Sequence, residues 1–107
     1  MKENQKQEEG YDYVNPSHYN KNGVQTIDKI EGTYGTKRAC EWCLITAFKY
    51  IDRIGEKPNE PVERELGKIN WYFSWALQKS EGEFFSHEVN KEVQNLVQIL
   101  EEKGYKL

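Results

Sequence analysis

Between Thr36 and Ile54 the apolar side chains return in pairs, Ala39/Cys40, Cys43/Leu44 and Ala47/Phe48, and then at Ile51. That period belongs to an α-helix with one buried face, and Gly55 closes the run. Two further stretches carry the same rhythm: Val62, Leu66, Ile69, Phe73, Ala76 and Leu77, and then Val89, Val93, Leu96, Val97 and Leu100. A shorter repeat, Val24, Ile27 and Ile30, precedes them. No segment of useful length alternates with the period of two that a half-buried strand requires. The chain therefore reads as all-α, a compact bundle of about four helices.

Punctuation residues set the expected boundaries. The first helix spans 24–32 and stops at Gly32; the second spans 36–54. The third runs 60–79, capped by Asn59 and with Pro61 tolerated in its first turn. The fourth is capped by Ser86, ends near Lys103, and is followed by Gly104. Residues 1–12 hold almost no aliphatic side chain and read as a disordered acidic arm. Residues 13–107 then form one helical domain, entered through an aromatic-pinned loop, Tyr13-Val14-Asn15-Pro16-Ser17-His18-Tyr19.

Composition narrows the function classes. Only 36% of the 107 residues are hydrophobic against 31% charged, so the core must be thin. A net charge of −3 excludes a broad electrostatic grip on nucleic acid while allowing a local basic pocket. No apolar run approaches the roughly 20 residues of a membrane span. The opening MKENQKQEEG lacks the apolar stretch of a secretory signal, so a cytoplasmic product is expected. Aromatic residues reach 13%, which points to stacking surfaces or an aromatic interface.

Cys40 and Cys43 form a CxxC without a second pair, and fall inside a helical pattern. They read as two small reduced core residues rather than a zinc site or a redox motif. The chain has no GxxxxGK[ST], no GxGxxG and no GxSxG, and no helical ExxE followed by ExxD.

Chemistry concentrates on the second faces of two helices. Lys49 and Arg53 stand one turn apart on the face that also carries Trp42. Like charges at that spacing repel unless an anion sits between them. On the third helix Glu65, Lys68, Tyr72 and Trp75 share a stripe, with Asn70 at its edge. Two readings fit. Glu65 pairs with Lys49 or Arg53 across the helix interface, with the aromatics as its cover. Alternatively, the lysines and arginine clamp phosphate while an aromatic ring stacks on a base. His18 is likewise either a hydrogen-bonded loop anchor or a ligand contact.

Four blocks stand in order along the chain: Asn15-Pro16-Ser17-His18-Tyr19, Ile27-Asp28-Lys29-Ile30-Glu31, Phe48-Lys49-Tyr50-Ile51-Asp52-Arg53 and Glu65-Leu66-Gly67-Lys68-Ile69-Asn70-Trp71-Tyr72. Together they resemble the SaV-like nucleotide kinase family, catalogued as domain of unknown function 3310 and found mostly in bacteriophages. The resemblance covers residues 14–78. The sequence departs from the family pattern at Asn15, at Glu65 in place of Asp, and at Ile69-Asn70 in place of a small residue.

The resemblance implies a nucleotide kinase that phosphorylates deoxynucleoside monophosphates without a P-loop. Lys49, Arg53 and Lys68 would clamp phosphate oxygens. Glu65, with Glu31, would hold Mg²⁺ accompanying a nucleoside triphosphate donor, or orient the lysine and arginine side chains. Asn15, His18 and Tyr19 would line the mouth, and Tyr50, Trp71 or Tyr72 would stack on the base. Two other readings stand beside it. One is a non-catalytic binder of a nucleotide or nucleotide-derived signal. The other is an inhibitor docking Trp42, Trp71 and Trp75 on a host protein. A chain this small would complete a two-nucleotide site most easily as a homo-oligomer, with Phe84, Phe85 and the Val/Leu stripe of the fourth helix as the contact.

Overall fold

A computed structural model describes residues 25–107. Four helices follow in order: α1 Thr26–Tyr34, α2 Thr36–Asp52, α3 Val62–Ser80 and α4 Ser86–Glu102. The all-α expectation holds. Among the described residues no helix is long and apolar enough to cross a membrane.

The helix ends depart from the sequence reading for local reasons. Gly32 lies inside α1, which continues to Tyr34 and stops at Gly35, where φ is +94°. Helix α2 ends at Asp52, and its chain reverses through Gly55 at φ +80°. Asn59 does not cap α3, because it takes a left-handed φ of 66°. Pro61, with φ −62°, stands at the cap position instead. Ser86 is the first residue of α4 rather than its cap, a position taken by Phe85.

Helices α2 and α3 form an antiparallel hairpin, and three contacts fix its direction. The Cys40 thiol, early in α2, lies 3.7 Å from the Ala76 carbonyl oxygen, late in α3. Tyr50 stacks on Tyr72 farther along. Just past the end of α2, the Gly55 N–H donates to Glu65 Oε1 at 3.0 Å, in the first turns of α3. Helix α2 offers small side chains, Ala39, Cys40, Cys43 and Ala47, all fully buried. Beside them Leu44, Ile51, Ile69, Phe73 and Ala76 complete the centre of the core.

Helix α1 adds Ile27 at one end, and α4 covers the hairpin with Val89, Val93, Leu96 and Leu100. The Val/Leu stripe of α4 therefore faces inward, so it is not a contact for another chain. Phe85 is buried with it, while Phe84 is 88% exposed. Phe48, expected in the core, is instead half exposed beside Ile45. Because α2 is covered by α1, α3 and α4, its remaining open face is narrow, and these two side chains occupy it.

The end of α4 returns to the α2–α3 turn. The Gly104 N–H donates to the Glu101 carbonyl and the Tyr105 N–H to the Leu100 carbonyl, closing the helix around a left-handed glycine. Lys103 Nζ then donates to the Asp52 carbonyl at 2.9 Å, satisfying an end of α2 where the helix dipole favours a cation. The left-handed φ of this turn favours glycine, and a Cβ on Gly55 would meet the Tyr105 hydroxyl oxygen at 2.5 Å, so that side chain would have to shift.

The two cysteines are free and buried. Burial, reinforced by the charges of Glu31 and Glu41, pushes the Cys40 thiol up from 9.0 to about 11. Burial also raises Cys43, with Cys40 beside it adding to the effect. Both are neutral thiols at pH 7, as the core reading of CxxC requires.

Two outcomes test this packing. Phe73→Ala is expected to lower unfolding free energy by about 3–5 kcal/mol, read from urea denaturation. The pH dependence has a definite sign, because the Cys40 thiol is raised in the folded state. Its contribution is complete below pH 9.0 and is lost as pH climbs toward about 11. The urea midpoint of the parent should fall over that window more steeply than that of Cys40→Ala.

Candidate functional site

Tyr72 is the centre of an aromatic cluster built across the hairpin. It is buried on α3, and Trp42 and Tyr50 reach it from α2, two turns apart. The Tyr50 ring stacks on it at 6.0 Å with an interplanar angle of 22°. Trp42 and Trp71 meet it edge-on at 5.8 and 5.1 Å. Such pairs contribute about 0.5–1.5 kcal/mol each beyond the area they bury, so the cluster is a rigid wall.

Two cations lie against the Tyr50 ring of this wall. Arg53, in the turn after α2, places its guanidinium carbon 5.7 Å from the Tyr50 ring centre. Lys68, in the second turn of α3, places Nζ 5.5 Å from the same centre. Lys49 stands exposed one turn before Arg53. Among the described residues Arg53 has no carboxylate partner, whereas Lys68 lies 3.6 Å from Glu60 Oε2. Glu60 also approaches Arg64, at 4.0 Å, so its charge is shared.

Glu65 departs from the ion-pair reading drawn from the sequence. It is 1% exposed, and pairs with neither Lys49 nor Arg53. Its Oε1 accepts the Gly55 N–H, and its Oε2 is buried without a hydrogen-bond partner. The carboxylate thus fixes the turn that carries Arg53 and acts on that cation through the backbone.

Glu31 lies elsewhere. Its carboxylate accepts from Lys79 Nζ at 3.0 Å and from the Thr36 hydroxyl at 2.9 Å. Partial burial pushes the Glu31 carboxyl up, but these two hydrogen bonds and the Lys79 charge outweigh it and hold the group below 4.5. Lys79 and Glu65 are fourteen residues apart on α3, on the order of 20 Å at helical rise. Glu31 and Glu65 therefore cannot share one Mg²⁺. No group of three metal-ligating side chains occurs among the described residues.

The structure thus brings Arg53, Lys68, Tyr50, Tyr72 and Trp71 together, with Lys49 next to them and Glu65 beneath the turn. Asn15, His18 and Tyr19 lie outside the described residues. The sequence reading did not place Glu60 in the site, although its position four residues before Arg64 is a helical ion-pair signal. It also missed a cavity of about 240 Å³ on the far flank of Tyr72, lined by Gln25, Thr26, Ile27, Trp42, Trp71 and Tyr72. Gln25 is 8% exposed there, and its Oε1 has no hydrogen-bond partner.

The fold and site define an all-α hairpin domain with a cation-flanked aromatic wall. Residues 14–74, more than half of the chain, match the family described as Protein of unknown function (DUF3310), and the protein belongs to that family. The match takes in Tyr50, Arg53, Glu65, Lys68 and Tyr72, and stops within α3. No curated protein and no solved structure matches the chain.

Removing the Glu65 acceptor should loosen the turn. Glu65→Leu leaves the Gly55 N–H unpaired and is expected to cost about 1–3 kcal/mol, whereas Glu65→Gln, which keeps an acceptor, should cost less. Urea denaturation of the two variants checks the order.

Proposed function

We propose that the protein binds nucleotide phosphates at Arg53, Lys68 and Lys49, and is a nucleotide kinase lacking a P-loop. It would move a phosphoryl group from a nucleoside triphosphate to a (deoxy)nucleoside monophosphate. The carrying observation is the convergence of Arg53 and Lys68 on Tyr50 from the two ends of the α2–α3 turn. Glu60 already partners Lys68, so among the described residues the charge left open to an anion is chiefly that of Arg53. The resemblance to SaV-like nucleotide kinases supports the same choice of ligand.

Phosphoryl transfer asks the protein for alignment and positive charge more than for a nucleophile. Arg53 offers a planar fork that grips two phosphate oxygens, and Lys68 a point charge held in place by Glu60. The fixed turn at Gly55 keeps the fork aimed before ligand arrives. Tyr72 and Trp71 supply the apolar wall for the base. Mg²⁺, as the donor nucleotide's counter-ion, would neutralise charge on its phosphates. Such an ion is commonly held by one or two carboxylates together with phosphates and waters. Glu65, with a buried unpaired oxygen, is the residue that would hold it, and Glu31 has no part in it.

The reading includes a homo-oligomer, supported by the exposed Ile45 and Phe48 on α2 and by Phe84. A docking role on a host protein has less support, since Trp71 is buried and Trp42 and Trp75 pack against the core.

The test is calorimetric titration with deoxynucleoside monophosphates and ATP, with product followed by chromatography. Arg53→Ala and Lys68→Ala should keep parent-like circular dichroism, and each should weaken binding roughly tenfold, the scale of one charged hydrogen bond. Unchanged affinity in both variants rejects the phosphate role. Binding without diphosphate product in the presence of Mg²⁺ leaves a non-catalytic binder.

A further inference from the structure

We propose that Gln25 is a specificity-determining residue that reads the edge of the nucleotide's base in the cavity between α1, α2 and α3. The inference rests on the nucleotide reading above and adds to it the position and the chemistry of base selection.

Three observations carry it. The cavity of about 240 Å³ is smaller than the roughly 300–1,000 Å³ of clefts that enclose whole drug-sized ligands, a size suited to one planar ring system. Its walls are three aromatic side chains, Trp42, Trp71 and Tyr72, together with Ile27. Nucleobases of any sequence stack on such walls, so the walls alone would accept every base alike.

The third observation breaks that indifference. Gln25 lines the cavity, is more than nine-tenths buried, and holds its side-chain oxygen without a hydrogen-bond partner. Buried amide oxygens are almost always paired in folded proteins, so this acceptor marks the place of a donor that arrives with a ligand. A base offers such a donor as a ring N–H or an exocyclic amino group, and glutamine is a well-suited partner for such an edge. The backbone at this position is already committed, because the Gln25 carbonyl accepts the Asp28 and Lys29 N–H groups at the start of α1. The side chain is therefore mounted on a fixed helix end.

The cavity joins the phosphate site through one stack. Tyr72 forms part of its wall, Tyr50 lies 6.0 Å beyond, and Lys68 and Arg53 lie 5.5 and 5.7 Å from Tyr50. Base and phosphate subsites thus border the same aromatic cluster, the cavity at Tyr72 and the cations at Tyr50.

The experiment compares dAMP, dGMP, dCMP and dTMP with 2-deoxyribose 5-phosphate, in the parent and in Gln25→Leu, by calorimetry and tryptophan fluorescence. The parent should bind at least one of the four roughly tenfold or more tighter than the base-free sugar phosphate, with quenching of tryptophan emission. Gln25→Leu should abolish that preference and leave deoxyribose 5-phosphate affinity unchanged. Methylating the donor nitrogen of the preferred base should reproduce the loss in the parent, which keeps the test valid should the variant fail to fold. A preference that survives both Gln25→Leu and N-methylation overturns the assignment, as does base binding without a fluorescence change. Arg53-dependent binding of the sugar phosphate with no base preference overturns Gln25 alone. Absence of binding by every probe overturns the nucleotide reading and this inference with it.

Discussion

The contact of α2 with α3 is the constraint on which the molecule depends. Four small side chains on α2, Ala39, Cys40, Cys43 and Ala47, are fully buried. Small residues let two helix backbones approach closely, and the larger Ile69 and Phe73 of α3 are buried against them. In a chain with so little apolar material, this economy of volume is what makes a core feasible. It also sets the register of the hairpin, which decides that Tyr50 meets Tyr72 and that Arg53 and Lys68 both reach Tyr50.

That register explains how the site arises from residues distant in sequence. The α2–α3 turn needs an acceptor for the Gly55 N–H, and Glu65 supplies it from the first turns of α3. Burying a carboxylate is costly unless the charge is used, and here only one of its two oxygens is satisfied. The residue has the character of a functional group held in place by a structural task. Glu31, by contrast, is fully engaged in tying the end of α1 to Lys79 and to Thr36.

Much of this was legible beforehand, and the exceptions are instructive. The helices and most of the core follow from spacing, because a thin core allows only one buried stripe per helix. Phe48 broke the pattern because three neighbours share α2 and leave the edge of its stripe open. Asn59 is a good capping residue by type, but a left-handed backbone and the following proline moved the helix start. The cations at Arg53 and Lys68 were visible as unexplained charges on otherwise aromatic faces. The partner of Glu65 was not, since sequence carries no mark of which backbone N–H a turn will leave exposed. Gln25 carried no signal at all, because a single glutamine before a helix has no periodicity to betray its burial.

One arrangement at the end of the chain bears on how a ligand would be met. Lys103 holds the Asp52 carbonyl, Glu65 holds the Gly55 N–H, and the Tyr105 hydroxyl closes over Gly55. Arg53 sits between these ties, so its backbone has surrendered its freedom before any encounter. An anion then finds a finished surface, and the ordering penalty that flexible loops pay at binding has already been met by folding. Capture of such an anion would then be governed by diffusion and charge rather than by rearrangement. Helix α4 lies beyond the residues matched to the family, yet the chain at its end supplies Lys103 and Tyr105 to these ties.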